Sequence, residues 1–276
     1  MLLNNTMGSL RKPLAFLARD LSLMLSYRLS FFLQFFGIFF SVLMFFFIAR
    51  LFGPAATPYL AAYGGDYFSF VLIGIAFSGY LGVAISSFSS SIRQGQMMGT
   101  LEVMLVTPTR LSTILVSSSL WSFAFTSLRI VVYLAVGALV FGVNLNQANW
   151  LAALLIQALT ILTFGSLGII SASFIMAFKQ GNPLNMVLGT ASSLLGGVYY
   201  PITVLPTWLQ PFSHLLPITY SLRAMRLAIL QGHSFAALAP DMLILAVFAI
   251  VLFPLSLVAF RLGVRKAKMD GSLTQF

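Results

Sequence analysis

No cysteine occurs in the 276 residues of the chain. That excludes disulfides, Cys-ligated zinc and thiol catalysis. Charge is almost as scarce, with Asp, Glu, Lys and Arg together making up 7% of the sequence. A folded surface in water carries several times that share. Hydrophobic residues supply 59% and the mean hydropathy is +0.99. The chain therefore reads as a single transmembrane domain, 1–276, of an all-α integral membrane protein. The net charge of +10 would suggest nucleic acid as a partner of a soluble protein. Here the basic residues flank apolar segments, which fits orientation in a lipid bilayer and no nucleic-acid partner.

Other absences narrow the chemistry. A phosphate loop needs a lysine that follows Gly and precedes Ser or Thr. The lysines are Lys12, Lys179, Lys266 and Lys268, and none has those neighbours. No carboxylate falls mid-span. Asp66 and Asp241 lie at predicted outer ends, Glu102 in an inner loop, and Asp20 and Asp270 in cytoplasmic stretches. Proton coupling through a buried acid is disfavoured, and no His–carboxylate arrangement resembles a hydrolytic site. No catalytic residue, metal site or cofactor on this chain is expected.

What is present is a series of apolar runs. Segment 8–28 places Leu10, Leu14, Leu17, Leu21, Met24 and Leu25 on one face, opposite Arg11, Lys12 and Arg19. This predicts an amphipathic interfacial helix at the N-terminus. No signal-peptide cleavage pattern is expected, because the first apolar span starts behind this basic stretch. Six transmembrane helices are predicted: Leu29–Ala49, Phe68–Ser90, Ser112–Phe141, Trp150–Phe178, Asn185–Tyr200 and Met242–Phe260. Between spans five and six, Pro201, Pro206, Pro211 and Pro217 rule out a continuous helix. Residues 201–232 are expected to form short re-entrant or interfacial helices on the outer side.

Basic residues set the orientation. With the N-terminus inside, the inner segments hold Arg11, Lys12, Arg19, Arg28, Arg93, Arg110, Lys179, Arg261, Arg265, Lys266 and Lys268. The outer ones hold only Arg50, Arg223 and Arg226. Both termini are expected in the cytoplasm.

The inner loop 92–110 carries the most information. Thr100 can cap a short helix that Pro108 ends. It would present Leu101, Met104 and Leu105 on one side and Glu102 on another, a shape suited to a groove on a soluble partner. The run Met98-Gly99-Thr100-Leu101-Glu102-Val103-Met104-Leu105-Val106-Thr107-Pro108-Thr109 resembles the cytoplasmic coupling segment of permease subunits of type-2 ATP-binding-cassette (ABC) exporters. The stretch from Gly196-Gly197 through Trp208 to Tyr220 and Arg223-Ala224-Met225-Arg226 resembles that family's outer re-entrant segment. Asp270-Gly271-Ser272-Leu273 is also similar to part of the family. Gln94, Gly95 and Gln96 stand where many members carry acids.

The resemblance implies a permease subunit of an ATP-driven exporter in the bacterial cytoplasmic (inner) membrane. It implies a partner ABC ATPase subunit that holds ATP and Mg, and a second copy of the permease. Substrates of the family include drugs, lipids, and polysaccharides or their lipid-linked precursors. Coupling to the ATPase would fall to Gly99, Thr100, Leu101, Glu102, Met104 and Leu105. Spans two and five border the central pathway in this fold, so Phe70, Phe77, Tyr80, Leu194, Tyr199 and Tyr200 are candidate lining residues. The packing alternative stands beside that reading for each aromatic. Arg129 joins them because a mid-span charge must face protein or water. It either binds an anionic substrate group or pairs with a helix carbonyl. The alternatives are a secondary transporter or channel that needs no ATPase, and a membrane scaffold.

Overall fold

The computed structural model describes residues 18–19, 21–22, 26, 28–97, 111–178 and 183–269. No strand occurs among them. The described part of the predicted interfacial helix is confined to a few residues, and the rest of 8–28 lies outside the described residues.

Helix α1 spans Arg28–Ala56 and runs into a 3-10 turn, Thr57–Tyr63. The turn ends on Gly64 (φ 92°) and Gly65 (φ 75°), a left-handed pair that suits residues without a Cβ. Helix α2 follows over Tyr67–Met97. Asp66 caps it, accepting hydrogen bonds from the Phe68 amide at 3.2 Å and the Ser69 amide at 3.0 Å. That satisfies donors which the first helical turn leaves free. Helix α3 spans Leu111–Leu139 and α4 spans Trp150–Phe178. Asn149 caps α4 through the Ala152 amide at 3.1 Å. Helix α5 covers Pro183–Leu195, a 3-10 turn covers Ile202–Val204, and two short helices follow, α6 (Gln210–His214) and α7 (Pro217–Leu230). Helix α8, Phe235–Met269, closes the described chain.

Among the described residues, five helices are long and apolar enough to cross a membrane: Phe32–Tyr63, Tyr67–Phe88, Ser119–Leu139, Trp150–Ile175 and Phe235–Lys266. The protein is thus an all-α, multi-pass membrane protein. The expected fifth span has different bounds. Helix α5 stops at Leu195 after 13 residues, about 20 Å of rise, because the glycine pair breaks it and Gly197 turns to φ 76°. Three other helices run further than expected, among them α1, which continues past Ala49 to Ala56. Helix α2 continues to Met97 and so takes in the first residues of the predicted coupling loop. Helix α8 extends to Met269, past the basic residues that were expected to end the span. The remainder of that loop, 98–110, with Gly99, Thr100, Leu101, Glu102, Met104 and Leu105, lies outside the described residues.

Helix α2 is the hub. Of its apolar window 72% is buried, against 11% for α1 and 17% for α8. Helices α3 and α4 pack on it, while α4 also packs on α7 and α8. Where α4 crosses α2, a Cβ on Gly168 would fall 1.9 Å from the Ala84 carbonyl oxygen. Only a glycine permits that approach, a familiar device of helix packing in lipid. The large apolar side chains left exposed on α1, α4 and α8, such as Phe36, Phe40, Leu154 and Ile250, suit lipid contact.

Candidate functional site

The chain leaves helical geometry at Gly196 and resumes it at Ile202. Such a break exposes carbonyl groups, and at membrane depth these must find donors within the protein. Arg226 of α7 supplies them. Its Nη1 donates to the Gly197 carbonyl at 2.8 Å and its Nη2 to the Val198 carbonyl at 2.9 Å. Its Nε donates to the Phe70 carbonyl of α2 at 3.0 Å. The guanidinium is 2% exposed and lies over the Phe70 ring. One side chain therefore ties α7, the break and α2 together. Gly74 makes room for it: a Cβ there would fall 2.0 Å from the Val198 carbonyl oxygen and 2.6 Å from Arg226 Nη2.

The rest of the broken segment is fixed by its own side chains. Tyr200 donates to the Leu194 carbonyl at 2.6 Å, and Tyr199 stacks on Phe45 of α1 with ring centres 5.7 Å apart. Thr219 donates to the Ser213 carbonyl at 2.7 Å and Tyr220 to that of His214 at 3.0 Å, which closes the turn between α6 and α7. Arg223 reaches Asp241 of α8 with Nε donating to both carboxylate oxygens, at 3.0 and 2.9 Å, and Nη2 to Oδ1. Thr160 of α4 and Ser221 of α7 share a buried hydrogen bond at 2.7 Å. Helix α7 is consequently a buried element, with Ile218, Leu222, Met225 and Ile229 in the core.

The residues proposed to line a pathway fall in three places. Phe70, Phe77 and Tyr80 are buried along α2. The Tyr80 ring stacks on Phe123 at 6.3 Å, and its hydroxyl meets Ser127. Leu194 and Tyr199 are exposed at the end of α5, and Tyr200 is half-buried beside them. Arg226 joins Phe70 to Gly197 and Val198, which precede Tyr199 in the chain. Arg129 occupies the middle of the apolar stretch Ser119–Leu139. It is half-buried, and its Nε is enclosed without a hydrogen-bond partner. Among the described residues the two carboxylates, Asp66 and Asp241, are both engaged elsewhere. No group of acids, histidines or cysteines suited to a metal occurs among the described residues.

Arg226 is the residue whose role the sequence alone did not isolate. The available signal was an arginine in a short apolar helix, three positions after another arginine and downstream of a glycine pair that must expose carbonyls. This whole arrangement falls within a stretch, residues 22–230, that matches the family model of ABC-2 type transporters. The chain belongs to the ABC-2 type transporter family. The match ends where α7 ends, so it covers the broken segment and its Arg226 clamp and leaves out α8.

Individual relatives are distant. The inner membrane transport permease YadH of Escherichia coli strain K12 is 25% identical over 169 residues, 59% of this chain and 63% of YadH. YadH of Shigella flexneri gives the same figures. The matched stretch is thus less than two thirds of the length of these relatives. Nodulation protein J of Rhizobium leguminosarum bv. trifolii is 25% identical over 232 residues, 78% of this chain and 86% of that protein.

Proposed function

We propose that the chain is the membrane-spanning permease subunit of an ATP-driven exporter. The observation that carries this reading is the ABC-2 family match over residues 22–230. No lysine of the chain has the neighbours a phosphate loop needs, which supports a separate ABC ATPase subunit that holds ATP and Mg. That subunit docks on segment 92–110 through Gly99, Thr100, Leu101, Glu102, Met104 and Leu105. A second copy of the chain completes the permease. Leu194 and Tyr199, exposed on one copy, then face the path between two copies, and Arg129 offers its charge to an anionic group. The substrate is a lipophilic, lipid-linked or polysaccharide-type molecule moved out of the cytoplasm or the inner leaflet. The similarity to YadH, an inner membrane transport permease, supports the inner membrane as the location, and the distribution of Lys and Arg supports cytoplasmic termini.

The deciding experiment is affinity purification of the tagged chain from its native membranes, with the co-purifying proteins identified by mass spectrometry. The reading requires an ABC ATPase at a stoichiometric level, and ATPase activity that changes when the two are reconstituted in lipid. Recovery of the intact permease with no ATPase would overturn it.

A further inference from the structure

We propose that the inner half of the contact between α2 and α3 is a hydrated seam, with water held between Ser87 and Ser119. The two helices are antiparallel, and a series of contacts fixes their register. A Cβ on Gly137 would fall 2.2 Å from Leu72, a Cβ on Gly79 would fall 3.9 Å from Thr126, and Tyr80 meets Ser127. Two helical turns further in, the same register sets Ser87 of α2 at the level of Ser119 of α3. Ser87 lies one heptad from Tyr80 and shares its face. Ser87 is 5% exposed and Ser119 1%, and neither hydroxyl has a hydrogen-bond partner.

Neighbouring hydroxyls behave differently. Thr126 donates to the Ser122 carbonyl at 2.8 Å, Ser127 to that of Phe123 at 3.0 Å and Ser86 to that of Gly82 at 2.6 Å. Ser87 and Ser119 thus differ from these three hydroxyls, each of which turns back on its own helix. Enclosed polar groups are paired or hydrated, and two hydroxyls in one layer offer a water both donors and acceptors. The outer route to the layer is closed by Tyr80, stacked on Phe123 and joined to Ser127. Water therefore enters from the inner ends of α2 and α3. A wet inner half beside a dry outer half lets these two helices shift at their inner ends, because exchanging water hydrogen bonds is easier than breaking direct ones.

The assignment of that inner end to the cytoplasm rests on the orientation given under the proposed function, and the test reads the two separately. Ser87→Cys and Ser119→Cys each give the full-length protein a single thiol. A charged, membrane-impermeant thiosulfonate is applied to either face of sealed vesicles. Both thiols should react at least about tenfold faster than Leu120→Cys, at the same depth and exposed to lipid, because a dry thiol stays protonated and inert. They should react from the face that also labels Gln94→Cys. Rates as slow as that of Leu120→Cys, or reaction only from the face that labels Asn146→Cys, would overturn the seam. A reversed orientation would instead exchange the faces of all the positions together. A second measurement needs no substitution. Hydroxyl-radical footprinting of the native protein should oxidise Phe88 and Phe123, which meet beside this layer with ring centres 6.4 Å apart, faster than lipid-facing Phe253. Equal or slower oxidation means that both serines turn back on their own helices and the seam is dry.

Discussion

Arg226 lies over the ring of Phe70, 3.5 Å from its centre, and donates to the backbone carbonyl of the same residue. A buried guanidinium is stable there because an aromatic face and three carbonyl oxygens together replace its hydration. The interaction couples two parts of the chain that are far apart in sequence, and the geometry of the broken segment depends on it.

Arg226→Leu should leave the Gly197 and Val198 carbonyls unsatisfied. The expected loss of stability is on the order of 2–5 kcal/mol, seen as a lower unfolding temperature in detergent. Arg226→Lys should recover part of it, since an ammonium can serve some of the carbonyls but lacks the fork. A Leu variant as stable as the parent would mean that water serves these carbonyls equally well.

Gly74→Ala should be costly for the same reason. The new methyl group meets the Val198 carbonyl and Arg226, and overpacking of this kind costs about 1–3 kcal/mol. Gly37→Ala and Gly82→Ala place a methyl group in open space and should be neutral or stabilise by up to about 1 kcal/mol. Thermal unfolding of the three variants side by side checks the contrast.

Arg129→Leu should separate stability from transport. A charge at mid-span costs about 2.5–3.5 kcal/mol on insertion scales, and here Nε has no partner to offset it. The Leu variant should be at least as stable as the parent, yet transport by the reconstituted complex should fall. Unchanged transport would remove Arg129 from the pathway.

Topology can be read without background, because the chain has no native cysteine. Single cysteines replacing Ser9, Gln94, Gln180 and Ser272 should be labelled only from the cytoplasmic side. Those replacing Thr57, Asn146 and Ser234 should be labelled only from outside. External labelling at Gln94→Cys would reverse the orientation.

For coupling, Glu102→Ala and Leu101→Asp should leave insertion intact and weaken the response of the ATPase partner to the permease. Basal hydrolysis by the partner should persist, since its own site is untouched. The measurement is ATPase activity with and without each variant, alongside a pull-down. Normal binding and normal stimulation by both variants would remove the 92–110 segment as the coupling element.

The sequence by itself determined the membrane class, the helical architecture and the family. Long uncharged runs are a one-dimensional signal, and lipid leaves such runs few ways to fold. The bounds of α4 were legible because Asn149 and Lys179 bracket an unbroken apolar stretch. The proline series announced short helices in 201–232 for a similarly local reason. The early end of α5 was less visible, because glycines are common in membrane helices and stop one only when other parts of the fold hold the exposed carbonyls. Tertiary structure decided that Arg226 holds them, that Arg223 takes Asp241, and that Phe70 is a packing platform for a guanidinium. It also decided that Ser87 and Ser119 stay unpaired while Ser86, Thr126 and Ser127 bond to their own helices. Each of these depends on which helix faces which and at what register. Hydropathy is nearly uniform around helices in lipid, so it carries little record of those faces.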